Sequence, residues 1–152
     1  MIRQFKNFLF GALSGNVNEY YDGTGNFSVP GGTAPIYKVG VTIDGGGSAI
    51  STGIKGYTSI PATGTIVRAR MLADQVGSAV VDVWKDTYAN FPPTNADSIT
   101  AAAPPTIAAD DSSDDAALVG WTTAVTAGDV LGFNVDSAAT ITRLTLEIWI
   151  QP

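Results

Sequence analysis

Apolar and polar residues alternate in short runs along the chain from residue 37 onwards. Residues 37–43, YKVGVTI, place one tyrosine, two valines and one isoleucine on the same face, and the turn DGGG follows. Residues 140–151, TITRLTLEIWIQ, alternate over their whole length and form the clearest strand of the chain. A period of two residues is typical of β-strands with one buried face, so both segments are predicted to be strands.

Shorter runs of the same kind predict further strands at residues 53–60, 64–74, 78–88, 117–125 and 130–136. Within 64–74, simple alternation sets Ile66 on the same face as Arg68, Arg70 and Leu72, and a break in the strand is expected near Asp74. Residues 89–116 contain two Pro-Pro pairs, which do not fit inside a central strand, and this segment is predicted to be mostly loop.

Seven or eight strands within about 115 residues predict one antiparallel all-β domain, a β-sandwich or jelly roll, over residues 37–152. The chain of 152 residues is long enough for one such core but short for two domains. Residues 14–36 are rich in Gly, Asn, Ser and Pro and show no persistent period. We therefore expect residues 1–36 to form an N-terminal arm and a glycine-rich linker.

Residues 1–13, MIRQFKNFLFGAL, form a short amphipathic pattern with two cations and no acid. Large apolar residues so close together would be poorly soluble unless something covers them. We expect an arm that docks on a partner through Ile2, Phe5, Phe8, Leu9 and Phe10. A frayed tail is the alternative, whereas a secretory signal is disfavoured because the apolar stretch is short and no cleavage motif follows.

Composition narrows the chemistry that the chain can perform. Histidine and cysteine are both absent, which removes serine–histidine and cysteine–histidine nucleophiles and the usual zinc ligands. Paired carboxylates could still hydrolyse a glycosidic bond, but the acidic residues fall in predicted turns and loops. We expect no enzymatic activity and no cofactor.

The charge of the chain disfavours binding to nucleic acid, and its hydropathy disfavours a membrane-spanning segment. The net charge is −6 with only eight cations, and just Arg68 and Arg70 lie close together in the sequence. No basic stripe is therefore available for a phosphate backbone. No apolar run approaches the ~18 residues of a membrane-spanning helix. Neither nucleic acid nor a membrane is expected as a partner.

Three stretches resemble a β-sandwich module that recurs in bacteriophage virion proteins: SAVVDVWKDTYANFPPTNADSIT (78–100), APPTI (103–107) and GWTTAVTAGDVLGFNVDSAATITRLTLEIWI (120–150). The resemblance covers residues 39–150 and extends to tail-fibre, adhesion and capsid-decoration proteins. A small β body behind an apolar arm is similar to the plan of decoration (cement) proteins, which are typically cysteine-free trimers that clamp neighbouring capsid subunits.

The resemblance implies a homotrimer on the capsid surface of the virion, bound to the major capsid protein through its arm and stabilising the shell. A tail-fibre or receptor-binding component that recognises a host glycan is the alternative. Tail adhesins usually carry longer shafts or further domains than a chain of this length holds.

Three aromatic residues around a Pro-Pro pair form a candidate contact for a glycan or another subunit: Trp84, Tyr88 and Phe91. Exposed aromatic faces beside carboxylates and amides suit sugar rings. Structural packing or subunit contact is favoured over sugar binding, because exposed aromatic residues are more often covered by partners than free.

Two sets of charged residues are further candidates. Carboxylates that could collect calcium occur in ADDSSDDA, at Asp110, Asp111, Asp114 and Asp115. Their spacing is not that of an EF-hand loop, so a solvated acidic loop is favoured and no metal is expected. Arg68 and Arg70 need carboxylate partners, for which Glu147 and Asp82 are the candidates.

Overall fold

A computed structural model describes residues 34–152 together with two short strands, β1 (Tyr20–Tyr21) and β2 (Phe27–Ser28). The chain divides into two units, Met1–Ala34 and Pro35–Pro152. In the first unit, β1 and β2 pair antiparallel, with Tyr20 opposite Ser28. The predicted docking residues of the arm lie outside the described residues: Ile2, Phe5, Phe8, Leu9 and Phe10.

The second unit is an antiparallel all-β body, as the alternating runs predict. Its strands are β3 (Tyr37–Asp44), β4 (Gly53–Ser59), β5 (Gly64–Thr87), β6 (Thr106–Asp115), β7 (Ala124–Val125), β8 (Asp129–Ala139) and β9 (Arg143–Gln151). They form one sheet in the order β3-β9-β5-β8-β4, while β6 and β7 also pair with β5. Two 3₁₀ turns, Tyr88–Asn90 and Asn95–Asp97, follow β5.

The 24-residue strand β5 folds this sheet into two layers. Its first half pairs with β9 and its second half pairs with β8. Strand β8 ends opposite Ser78 and β9 begins opposite the segment near Ala73, so the sheet bends in the middle of β5, between these two pairings. One layer contains β3 and β9, and the other contains β4 and β8. The result is sandwich-like and nearly closed, since Val41 of β3 approaches Gly56 of β4.

The bend in β5 lies near Asp74 and Gly77. A Cβ atom added at Gly77 would meet the Thr140 hydroxyl, and would lie 2.6 Å from the carbonyl oxygen of Ala139. The Asp74 carboxylate accepts hydrogen bonds from the backbone N–H groups of Thr142 (3.1 Å) and Arg143 (3.0 Å). The predicted break near Asp74 is therefore wrong: irregular pairing on either side of Gly77 bends the strand without ending it.

A second irregularity corrects the predicted faces of β5. The register shifts between Ile66 and Arg68, so Ile66 is buried on the same side as Ala69 and Met71. The arginines lie on the opposite, outer face. A bulge inserts one extra residue, so the side chains beyond it point to the opposite face from the one that simple alternation predicts.

The core lies between the two layers and is almost entirely aliphatic. Its fully buried side chains come mainly from β5, β8 and β9, and include Val81, Val83, Leu131, Phe133, Leu144, Leu146 and Ile148. The positions on β8 and β9 agree with the inward faces that alternation predicts. Ile141 is an exception, because alternation places it on the outer face with Arg143 and it is fully buried. No buried side-chain nitrogen or oxygen of the described residues lacks a hydrogen-bond partner.

The predicted loop over residues 89–116 is wrong for its last third. Residues Thr106–Asp115 form β6 and pair with both halves of β5, with Ile107 opposite Ala79 and Asp114 opposite Arg70. Both Pro-Pro pairs precede β6 and stay outside it. A polar strand is stable here because most of its side chains face solvent while β5 supplies its backbone partners. Conversely, the strand predicted at 117–125 is reduced to the two residues of β7.

Candidate functional site

Exposed aromatic and aliphatic side chains meet on the outer face of the layer that contains β4 and β8. Tyr88 is 76% exposed and Phe91 is 48% exposed, and Ile54 and Tyr57 are exposed beside them. The rings of Tyr57 and Phe91 pack edge to face, with centroids 4.8 Å apart and an interplanar angle of 69°. We call Ile54, Tyr57, Tyr88 and Phe91 the aromatic patch.

The sheet beneath the patch has a local shape that holds these residues in place. The register of β4 shifts between Ile54 and Gly56, so Ile54 and Tyr57 are both exposed, three residues apart. Beneath them lies Gly132 of β8. A Cβ atom at Gly132 would lie 3.2 Å from Tyr57 Cε1, 3.3 Å from Ile54 Cδ1 and 3.2 Å from Pro93 Cγ. The missing side chain therefore lets these three groups lie close to the strand.

The patch borders an open cleft of about 400 Å³, lined by Tyr57, Thr58, Ser59, Tyr88, Phe91 and Val130. No charged side chain lines it. Tyr57, Ser59 and Tyr88 carry hydroxyls on the outer face, and within the part of the chain that the structure describes these hydroxyls form no hydrogen bond with another side chain or with the backbone. The cleft thus combines aromatic surfaces with uncommitted hydroxyl donors and acceptors.

Trp84 does not line this cleft. Its side chain is half-buried, and its indole Nε1–H donates to Asp82 Oδ2 at 2.7 Å. Asp82 also accepts hydrogen bonds from the hydroxyls of Ser98 (2.8 Å) and Thr100. Ser98 forms an antiparallel bridge with Trp84. The Asp82 carboxylate therefore fastens residues 98–100 across the outer face of β5.

The structure brings together two of the three predicted aromatic residues and adds one that sequence reasoning missed. Tyr88 and Phe91 share the cleft, while Tyr57 takes the place expected for Trp84. Tyr57 lies in the predicted strand at 53–60. Its proximity to Phe91 depends on the pairing of β4 with β8 and on the path of the loop after β5, neither of which a local pattern encodes.

The four aspartates considered for calcium are engaged separately. Asp114 forms salt bridges with Arg68 and Arg70, both at 2.9 Å. Asp115 Oδ1 accepts the backbone N–H groups of Ala117 (2.8 Å) and Leu118 (3.1 Å), and Asp110 accepts that of Asp111. Among the described residues, no group of three or more His, Cys, Asp or Glu side chains is placed to hold a metal ion. The carboxylates belong to a strand and not to the expected solvated loop.

The outer face of the other layer carries a cluster of charges around Trp149. Lys38, Arg68 and Arg70 lie over the indole ring at 5.3, 5.5 and 5.2 Å from its centroid, within the range of cation–π attraction. Lys38 also pairs with Glu147 at 2.7 Å. Asp114 is the carboxylate that forms salt bridges with both arginines. The hydrogen bond to Asp114 is the main cause that raises the pKa of Arg70, and of the two predicted partners Glu147 adds a smaller coulombic contribution, whereas the Asp82 carboxylate is held by the groups around Trp84.

Hydrogen bonds lower the pKa of several carboxyl groups in the folded protein. At Asp74 the main cause is the Thr142 hydroxyl, followed by the backbone N–H of Arg143. At Asp114 the main cause is the hydrogen bond from Arg70, and at Glu147 it is the hydrogen bond from Lys38. The pKa values of Asp44 and Asp97 are lowered mainly by backbone N–H groups of neighbouring turns.

These lowered pKa values predict a pH dependence of stability with a definite sign. A carboxyl whose pKa is lower in the folded state binds protons more tightly when unfolded, so its stabilisation is present above the unfolded pKa and disappears as pH falls through the folded pKa. We expect the melting temperature to be nearly constant from about pH 5.5 to 7 and to fall below about pH 4. The chain has no histidine to titrate between these limits.

The Asp74→Asn variant tests this dependence at the bend of β5. It should melt below the wild-type protein at pH 7, and the difference should shrink as the pH falls through the folded pKa of Asp74, because the wild-type carboxyl then gains a proton. Asp136→Asn is the control, since the Asp136 side chain bonds only the exposed amide of Asn134. Thermal unfolding followed by circular dichroism gives both profiles. A difference between wild type and Asp74→Asn that stays the same from pH 7 to pH 2 would contradict the assignment.

No helix among the described residues is both long and apolar enough to cross a membrane. Searches of protein-family models, curated proteins and solved structures all found no match to this chain.

Proposed function

We propose that this chain is a structural component of a bacteriophage virion, a capsid decoration protein whose N-terminal arm binds the shell. The proposal rests on the resemblance of residues 39–150 to virion β-sandwich modules. The antiparallel two-layer body is compatible with that resemblance. The partner is the major capsid protein, and the functional form is a homotrimer.

The observation that carries the proposal is the contrast between arm and body. Residues 1–13 hold seven large apolar side chains and two cations without an acid, while residues 35–152 hold six cations against twelve acids. An apolar, basic arm on an acidic body favours attachment through the arm, with the body directed to solvent.

The energetics of attachment favour an arm repeated in every subunit. Each large side chain covered in an apolar groove contributes about 1.5–3 kcal/mol before the ordering of the arm is subtracted. In a trimer, three arms bind to the same shell, so attachment of the first raises the effective concentration of the others. Weak individual contacts then give stable decoration.

Serine substitution in the arm tests this function in the full-length protein. Phe5→Ser, Phe8→Ser and Phe10→Ser together should reduce co-sedimentation with purified shells by at least tenfold, about 1.4 kcal/mol or more. The control replaces Gln4 and Asn7 by serine, which leaves the apolar residues intact. Unchanged binding of the triple variant, with an unchanged melting temperature of the body, would contradict attachment through the arm.

Copy number in the particle separates the shell from the tail. Quantitative mass spectrometry of purified virions should find this chain in numbers comparable to the capsid subunits. A handful of copies per particle would contradict decoration and would indicate the tail.

A further inference from the structure

The aromatic cleft on the β4–β8 layer has a chemical character that the proposed shell attachment does not use. Its walls are the rings of Tyr57 and Phe91, set at 69° to each other, and the ring of Tyr88 borders it. A flat ligand can stack on one ring while the other closes its side. This arrangement favours a ligand with an apolar face.

The polar groups of the cleft restrict the chemical class of ligand that it can bind. Tyr57, Ser59 and Tyr88 of the lining carry hydroxyls on the outer face, and none of these hydroxyls is committed to another described residue. A purely apolar partner would leave those it buried without hydrogen bonds, which is unfavourable. A ligand with apolar C–H faces and many hydroxyls can both stack on the aromatic rings and form hydrogen bonds with the lining hydroxyls.

Charge selects among such ligands. No cation lines the cleft, and residues 35–152 carry more acids than cations. A sulfated, phosphorylated or sialylated sugar would therefore find no counter-charge here and would be repelled at long range. A neutral sugar ring meets no such penalty.

The geometry points to a binding site for a neutral pyranose ring in the cleft formed by Tyr57, Tyr88 and Phe91. The ring stacks its C–H face on an aromatic ring, and its hydroxyls exchange hydrogen bonds with the hydroxyls of the lining. In this arrangement Phe91 supplies stacking surface and Tyr88 supplies both surface and a hydroxyl. All residues that line the site belong to residues 35–152, so variants in the site and variants in the arm test the two proposals separately.

The test uses the full chain and a panel of neutral oligosaccharides: maltohexaose, cellohexaose, chitohexaose and a β-galactan hexamer, with a heparin hexasaccharide as the charged comparison. Binding is measured by NMR titration. We expect at least one neutral oligosaccharide to bind, heparin not to bind, and Phe91→Ala to weaken binding at least tenfold. Tyr88→Phe, which keeps the ring and removes the hydroxyl, should weaken it to a smaller extent.

Leu72→Ala is the matched control, because Leu72 is 47% exposed, nearly as much as Phe91, and lies on β5 away from the cleft. It should leave the affinity unchanged. Absence of binding by every neutral oligosaccharide at millimolar concentration overturns the proposal, as does binding that Phe91→Ala does not change. A self-association that Phe91→Ala abolishes, measured by analytical ultracentrifugation in the absence of sugar binding, overturns it in favour of a contact with a second copy.

Discussion

Replacing Asp82 by alanine lowers the free energy of unfolding by about 3–5 kcal/mol, the range expected when a buried hydrogen-bonded network loses its centre. Asp82 is only 7% exposed, and its carboxylate accepts from Trp84, Ser98 and Thr100. Thr100 is completely buried. Without the carboxylate, its hydroxyl loses this acceptor in a place that water does not reach, and residues 98–100 lose their attachment to β5.

Urea unfolding measured by tryptophan fluorescence gives this free energy. Asp136→Ala is the matched control, because Asp136 lies on the neighbouring strand β8 and accepts from one exposed amide only. It should change stability by less than about 0.5 kcal/mol. Asp82→Asn should fall between the two, since its amide oxygen accepts hydrogen bonds but its NH₂ group does not. A loss below about 1 kcal/mol in Asp82→Ala would show that the network contributes little.

Gly77→Ala is expected to destabilise the body by about 2–4 kcal/mol through overpacking at the bend of β5. Its new Cβ would meet the Thr140 hydroxyl, the Ala139 carbonyl oxygen at 2.6 Å and Ile141 Cγ1 at 2.7 Å. Part of this obstruction is backbone, which does not rotate out of the way. The turn between β8 and β9 would have to move away from β5, and the hydrogen bonds to Asp74 would weaken with it.

Gly56→Ala is the control for this substitution. Gly56 is also a strand glycine, but an added Cβ would meet only a side-chain methyl, Val41 Cγ2, at 3.1 Å. A methyl group can shift by a few tenths of an ångström, so the loss should stay below about 1.5 kcal/mol. Chemical denaturation of both variants compares them directly. Equal losses for Gly77→Ala and Gly56→Ala would remove the argument that the bend needs glycine.

The parts of the fold that the sequence predicts are those set by local alternation. Residues 37–43 and 143–151 alternate without interruption, and both form strands whose apolar side chains largely face the core, while residues 140–142 of the predicted strand precede it. Burying one face of a strand requires such a pattern, so the pattern predicts these strands well. Runs of Gly and Pro between them mark turns for equally local reasons.

The parts that escaped prediction depend on distant partners. Strand β6 is polar along most of its length and exists because it pairs with β5. The reversed face at Ile66 comes from a bulge against β9, and the salt bridges of Asp114 depend on the same long-range pairing. Tyr57 reaches Phe91 only across β8. None of these contacts has a counterpart in the residues adjacent in sequence.

The pairing of the body also sets the order in which it can assemble during translation. Strand β4 pairs with β8 and β3 pairs with β9, so β4 has no sheet partner until the residues up to 139 have left the ribosome, and β3 has none until those up to 151 have. Before β8 emerges, β5 can pair only with β6 and β7. The nascent chain therefore emerges with two unpaired strands early in its sequence, and closure of the sheet awaits its last two strands. Contacts of such high sequence separation form slowly, and the exposed edges of β3 and β4 make this interval the one in which the chain is most prone to aggregate.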